Sequence, residues 1–246
     1  MPYRTTTRPD RADFAAMGSN RKLLVAGAAA AVLGILIAVA AFALSGGDEE
    51  GATGTAGASR SAYLTDLAQE GAVLGDPAAT VTLIQFEDFQ CPVCKRYQDE
   101  GFRDLVAEYV ATGKVKVRFA GLAFLGSDSE KALRHALAAG AHGKLFQFAE
   151  ELYERQGVEN SGWVTDALLA EVAAALELDA ATLAEEAAGT EVTQQAEVMA
   201  AEGAALEVPG TPWFYVQVGD GEPYAVQVAS FAVESFRPIL DDALAG

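Results

Sequence analysis

The residues best suited to do chemistry are the two cysteines of FEDFQCPVCKRY (86–97), Cys91 and Cys94. They are the chain's whole complement of cysteine and directly follow a run that reads as a buried strand. A pair so spaced can be a redox centre, half of a metal site or a small structural loop. Thr80 to Phe86, TVTLIQF, is β-branched and apolar, as a central strand requires. Pro92 suits the first position of a helix, where its missing N–H would have no partner in any case. Cys91 therefore falls at a helix N-terminus, where free N–H groups and the positive dipole end stabilise a thiolate, the nucleophile of thiol–disulfide exchange. Cys94 follows one turn later on the same face, placed to attack a mixed disulfide at Cys91 and release the product. On this reading Cys91 attacks and Cys94, buried, resolves.

The competing readings are weaker. A closed zinc site needs four ligands, usually with a second Cys or His pair. The other candidates are His135 and His142, seven apart on a predicted helix and more simply read as packing or solvating their own faces. A copper-handling dithiol lacks an accompanying methionine cluster. A structural disulfide over so short a loop gains little from chain entropy. Redox chemistry is the preferred reading, needing no cofactor, with a non-enzymatic metal-binding or chaperone module as the alternative from another class.

The N-terminus sets the compartment. Residues 1–22 are polar and basic, with five Arg and Lys against Asp10 and Asp13. Leu23 to Leu44 carries no charge, and as a helix it is ~33 Å long, enough for a hydrocarbon core of ~30 Å. The positive-inside rule puts 1–22 in the cytoplasm and everything beyond the 23–44 anchor outside. The alternative is a secreted protein, cleaved near Ala41-Phe42-Ala43, although signal peptides usually have a shorter apolar region of ~7–15 residues. Residues 45–62 are rich in Gly, Ala and Ser and read as a flexible linker of ~25 Å r.m.s. span. Outside the cytoplasm thiols tend to be oxidised, and a chain with one adjacent pair there is not using cysteine to staple its fold.

The net charge of −18 divides into +3 over residues 1–22 and −21 over the rest. Such an acidic domain argues against nucleic acid and anionic lipid surfaces as its partners. The membrane enters through the chain's own N-terminal helix.

The predicted working domain covers 63–246. A short edge strand at 72–74, the strand 80–86, a helix from Pro92 to about Ala111 and a strand at 115–119 come first. Residues 127–206 read as successive helices, with caps expected from Ser127 or Ser129, Thr165 and Asp179. Strands at 213–218 and 224–228 and a helix at about 232–244 close the chain. This order predicts an α/β domain, a mixed sheet with helices on both faces.

TLIQFEDFQCPVC, the helical block and VPGTPWFYV together resemble the DsbA-like branch of the thioredoxin superfamily, in particular its membrane-anchored bacterial members. The resemblance spans roughly residues 72–245. It implies a thioredoxin fold with an inserted helical domain at about 127–206. It also implies a cis-proline loop beside the dithiol, formed by Thr211 and Pro212, whose backbone could receive an extended substrate strand. The implied activity is oxidation of exported polypeptide thiols by a Cys91–Cys94 disulfide, restored by a quinone-linked redox partner in the membrane. A reductase or isomerase of the same fold is the alternative. Two departures bear on direction. Relatives often carry a carboxylate six residues before the first cysteine, where it handles the resolving thiol's proton; here that residue is Gln85. Glu87, two residues on along the same strand face, is the candidate substitute, against the plainer reading of a solvated or capping carboxylate. The dipeptide Pro92-Val93 also lacks the histidine of the strongest oxidants.

Overall fold

The computed structural model describes residues 60–246; the expected cytoplasmic segment and anchor lie outside the described residues. Among the described residues no helix is long and apolar enough to cross a membrane. The sheet has six strands: β1 (Gln69–Glu70), β2 (Val73–Leu74), β3 (Val81–Glu87), β4 (Val115–Gly121), β5 (Trp213–Val218) and β6 (Tyr224–Val226). Their spatial order is β1-β2-β4-β3-β5-β6. β3 lies parallel to β4, from Val81 opposite Val115 to Glu87 opposite Gly121, and antiparallel to β5, with Phe86 opposite Trp213. All seven residues of β3 are buried, as a central strand covered on both faces must be.

Helix α1 (92–110) follows β3 directly. It alternates α-helical turns, Pro92–Tyr97 and Arg103–Leu105, with π-helical ones, Gln98–Phe102 and Val106–Val110. Between β4 and β5 stand five helices, α2 (Ser127–Ala141), α3 (Leu145–Glu154), α4 (Asp166–Ala175), α5 (Ala180–Ala188) and α6 (Thr190–Ala205), which form the helical insertion. α7 (Val233–Ala245) ends the chain. On one sheet face the core gathers Leu83, Val117, Phe214 and Val216 with Tyr97, Phe102 and Phe236. On the other, Ile84, Phe86, Ala120 and Tyr215 pack with Leu122, Leu206, Val208 and Trp213. Trp213 and Phe214 thus alternate between the two cores.

Thr165 and Asp179 cap α4 and α5, accepting hydrogen bonds from the N–H groups of Leu168 (3.1 Å) and Thr182 (2.8 Å). Neither serine caps α2. Its N-cap is Gly126 at φ 125°, a conformation reserved for glycine, and the Ser129 hydroxyl is drawn instead to Asp88. The linker also ends earlier than its composition implies. Arg60–Leu64 is a 3-10 turn with Ser61 and Leu64 buried. Arg60 reaches Glu150 (Nε–Oε2, 2.9 Å) and is also ion-paired with Asp99 and Glu154. Gly and Ser content flags flexibility locally, whereas these partners lie far along the chain.

Gly101 shows how tightly α1 is seated. A Cβ there would stand 1.6 Å from the Phe231 carbonyl oxygen and 2.7 Å from its carbon. In an open helix Gly→Ala stabilises by about 0.5–1 kcal/mol. Here the clash decides the sign: Gly101→Ala is expected to destabilise the domain by about 3 kcal/mol, the upper end for overpacking. A urea titration finding the variant as stable as the parent would contradict this packing.

Candidate active site

The β3–α1 junction is built around Asp88. Its carboxylate accepts from the N–H of Gln90 (2.8 Å), from the N–H groups of Phe124 and Leu125 (3.2 Å each) and from the Ser129 hydroxyl. The Asp88 carbonyl receives the Cys91 N–H at 3.0 Å, which closes the turn and sets Cys91 as the N-cap of α1 in extended conformation (φ −72°, ψ 116°). Pro92 then occupies the first helical position, as its missing donor allows. From the insertion, the Gln156 side-chain amide donates to the carbonyls of Phe89 (2.7 Å) and Cys91 (3.1 Å). Gln90 is held in turn by Ser129 Oγ (3.0 Å) and by the Asn160 N–H, 2.6 Å from its Oε1.

Both cysteines are free thiols, Cys91 7% exposed and Cys94 fully buried. The Thr211–Pro212 peptide is cis. It brings the Thr211 carbonyl to the Cys91 sulfur, which donates to it at 3.2 Å as a thiol. The Thr211 hydroxyl is buried with no partner in that form, leaving a donor available to a thiolate.

The two thiols are driven apart in acidity. Cys91 is lowered to about 6, chiefly because the Cys94 S–H hydrogen-bonds its thiolate. The Thr211 side chain and the N–H groups of Cys94 and Val93 add to this, against the opposing effect of burial. Cys94 is pushed well above the usual thiol range by burial first, then by donating to Cys91 and by the nearby charges of Glu87 and Cys91. One sulfur is thus a thiolate near neutral pH while the other keeps its proton.

Glu87 lies beneath the pair, fully buried. The reading of it as a solvated or capping carboxylate is therefore overturned: it is buried, no side chain caps α1, and its neighbour Asp88 organises the turn. Burial raises Glu87 to about 8, eased by hydrogen bonds from Gln98 and Tyr153 and reinforced by the charges of Glu150 and Cys91. The Gln98 amide Nε2 sits 3.0 Å from each carboxyl oxygen. Gln85 is also buried; its Oε1 accepts from the Tyr97 hydroxyl at 3.0 Å, and its Nε2 has no partner. Gln85, Glu87 and the dithiol thus share one side of β3, with the acid two residues closer to Cys91 than relatives often place it.

Sequence reasoning missed Gln90, Gln98, Tyr153 and Gln156. Neutral amides and a tyrosine carry no signal by type, and each becomes part of the site through contacts made across the fold. His135 Nδ1 donates to the Lys131 carbonyl within α2 (2.8 Å), whereas His142, at the end of α2, has its Nε2 2.7 Å from Glu186 on α5, so the two histidines have separate partners. Among the described residues no three His, Cys, Asp or Glu side chains gather in a way that could hold a metal.

A family model described as thioredoxin matches residues 67–234. The chain belongs to the thioredoxin family. Within it the chain is of the DsbA-like kind. Disulfide bond formation protein D of Bacillus subtilis is 34% identical over 106 residues, 41% of this chain and 46% of that protein. The probable disulfide bond formation protein D of Bacillus anthracis is 32% identical over 98 residues, 39% of this chain and 45% of that protein. The chain thus spans about half the length of the curated relatives it matches. The crystal structure of oxidised BdbD from Bacillus subtilis superposes with a TM-score of 0.63 at 25% identity, covering 72% of this chain and 94% of that one. Wolbachia pipientis alpha-DsbA1, at 17% identity, shares the fold with a TM-score of 0.61, covering 74% and 92%. This DsbA-like thioredoxin fold combines the mixed sheet, the helical insertion and the cis-proline loop around the dithiol.

Two outcomes check the electrostatics. Iodoacetamide should alkylate Cys91 with a half-point near pH 6 in the reduced protein. In Cys94→Ala, which removes the largest stabiliser, the half-point should climb toward the ordinary ~8.5. Glu87 tests the opposite sign. Its folded-state value exceeds the unfolded one, so between about pH 4.5 and 8 the native state holds a proton that the unfolded chain has released. Stability is lost across that window as pH rises. Thermal unfolding should find Glu87→Gln close to the parent at pH 4 and more stable by on the order of a few kcal/mol at pH 8.

Proposed function

We propose that the chain is a membrane-tethered thiol–disulfide oxidoreductase working outside the cytoplasm, as a dithiol oxidase that introduces disulfides into exported proteins. The observation that carries this reading is the split dithiol: a thiolate-prone Cys91 at a helix N-terminus beside the cis-proline loop, over a Cys94 that stays protonated. Stabilising the Cys91 thiolate favours the reduced enzyme, which makes the disulfide a stronger oxidant. The names of the Bacillus relatives, disulfide bond formation protein, support the same direction.

Cys91 and Cys94 are the catalytic residues in this proposal. A substrate thiolate attacks the Cys91 sulfur of the enzyme disulfide, and Cys94 departs and takes a proton. A second substrate thiolate then attacks the substrate sulfur bound to Cys91, and Cys91 leaves as a thiolate. The substrate loses two electrons and two protons and gains one S–S bond. The enzyme takes the electrons, keeps one proton on Cys94 and, above about pH 6, releases the other. Pro92 starts the helix that exposes Cys91. The Thr211–Pro212 backbone receives an extended segment of the substrate. Glu87 exchanges the Cys94 proton, replacing the acid that relatives often carry where Gln85 stands.

In the proposed organisation, 1–22 is cytoplasmic, 23–44 is the anchor and the linker delivers the domain from about Arg60 onward. A membrane redox partner, quinone-linked by resemblance, reoxidises the dithiol. The domain's charge speaks against nucleic acid as a partner.

The deciding experiment uses the full-length chain in its host membrane. Alkylation after acid quenching should find the Cys91–Cys94 pair mostly oxidised, and Cys94→Ala should accumulate mixed disulfides with exported proteins on Cys91. The purified protein should show a potential nearer ~−120 mV than the ~−270 mV of a reductant. A mostly reduced pair with a thioredoxin-like potential means the electrons flow the other way. Absence of adducts in Cys94→Ala counts against exchange chemistry altogether.

A further inference from the structure

The buried acid poses a problem of supply. A carboxyl that trades protons with Cys94 must itself trade them with solvent, yet Glu87 and Cys94 are both completely buried. The cysteine face therefore gives neither of them contact with water. Gln98 leads from Glu87 toward water. Gln98, whose amide touches both Glu87 oxygens, also lines an open polar cavity of about 570 Å³ shared with Lys95, Asp99, Glu150 and Glu154. Gln98 opens the first π-helical turn of α1, the kind of local widening that often accompanies functional sites.

Glu150 is the innermost carboxylate of this cavity, 3% exposed. It accepts from the Tyr63 hydroxyl (2.8 Å) and Arg60 Nε (2.9 Å), and Arg103, stacked on the Tyr63 ring at 4.6 Å, adds positive charge nearby. Burial holds its pKa above the ordinary carboxylate value, and these partners oppose that shift. The other ionisable groups facing Glu87 are Cys91 and Cys94 from α1 and its N-cap, Tyr97 from α1 and Tyr153 from α3, and the Glu150 charge reaches both Glu87 and Tyr97. All three tyrosines, Tyr63, Tyr97 and Tyr153, are shifted upward and stay neutral, so Glu87, raised to about 8, is the carboxyl of this set placed to exchange a proton near neutrality.

We propose that this cavity is the proton port of the dithiol, with Gln98 as its inner gate and Glu150 as the acid that holds water at the threshold. In the resting arrangement the Gln98 amide orients the Glu87 carboxyl and separates it from the cavity. When the amide turns aside, a water reaches the carboxyl and the proton passes to or from bulk through the cavity, whose lining includes neither Cys91 nor Thr211. Substrate covering Cys91 then does not block proton exchange. The inference rests on Glu87 handling the Cys94 proton, and the test separates the two. Gln98 and Glu150 are positioning residues in this scheme and touch no reacting sulfur.

The step to measure is resolution of a mixed disulfide, with glutathione disulfide as the oxidant. The Cys91 thiolate takes one glutathione sulfur and expels the other as thiolate. Cys94 then loses its proton to ionised Glu87 and attacks the Cys91 sulfur, closing the enzyme disulfide and expelling the second glutathione thiolate. Glu87 delivers the proton to solvent through the port. The lifetime of the Cys91–glutathione adduct in the full-length chain, read by acid quench and mass at pH 8.5, where Glu87 is ionised, in H₂O and D₂O, reports this step. Gln98→Leu, which seals the gate with an apolar side chain, should lengthen the lifetime about tenfold and enlarge the solvent isotope effect. That is less than the ~10²–10⁴ of a positioned acid–base group, because the acid itself remains. Gln98→Ala, which opens the gate, should shorten the lifetime or leave it unchanged, and Glu150→Gln should lengthen it. All three should keep the Cys91 alkylation half-point near pH 6, whereas a merely structural lesion would move it. If Gln98→Leu and Gln98→Ala slow resolution equally, or neither changes it while Glu87→Gln does, the port is overturned and the Glu87 assignment stands. If Glu87→Gln itself has no effect, both fall.

Discussion

The structure turns on the locking of a single junction, the chain's passage from β3 into α1. Four consecutive residues there must present a sulfur at a helix N-terminus while sitting in a nearly dry interior. A buried turn with unpaired backbone groups would cost a few kcal/mol per group, so the surroundings must satisfy it. Asp88 does so from within, gathering the N–H groups of Gln90, Phe124 and Leu125 and the Ser129 hydroxyl. Gln156 does so from the insertion, covering the carbonyls of Phe89 and Cys91. The helical insertion is therefore part of the active site's scaffold and not merely an addition to the thioredoxin sheet.

Once the junction is fixed, electrostatics follow from depth. Cys91 has donors and a helix terminus on its side, so its anion is favoured despite partial burial. Cys94, one turn deeper, has the Cys91 sulfur to donate to and the Glu87 carboxyl near it, so its anion is disfavoured. The same low dielectric that strengthens the Cys94 hydrogen bond to Cys91 also raises Glu87 to about 8. The three groups titrate as a coupled set, in which a charge on one suppresses a charge on the others. Such an arrangement suits the proposed exchange between a dithiol and a disulfide, in which electrons move in pairs and protons singly.

Much of the domain's order was legible in the chain because its signals are local. The β-branched run before the cysteines, Pro92 after the first of them and the caps Thr165 and Asp179 each act within a few residues of themselves, and the elements lie where these residues indicate. Boundaries moved by a residue or two, and α2 is capped by Gly126 because Ser129 is recruited elsewhere. Arg60 belongs to the domain despite its Gly- and Ser-rich surroundings, since three carboxylates distant in sequence hold it. Neutral amides such as Gln98 and Gln156 gave no sign of their importance. Their value is geometric, and geometry across the fold leaves no periodicity to read.

By itself, the sequence determined the dithiol, its place at a strand-to-helix turn and the mixed α/β order of the domain, because residue type and spacing act through short-range sterics and hydrogen bonding. Only the tertiary structure decided that Glu87 is entombed beneath Cys94 while its neighbour Asp88 organises the turn. Alternation along β3 puts the two on opposite faces, but which face meets the cysteines, and how deeply, depends on what α1, α3 and the insertion pack against them. Acidity follows depth and partners, and those are properties of the assembled fold.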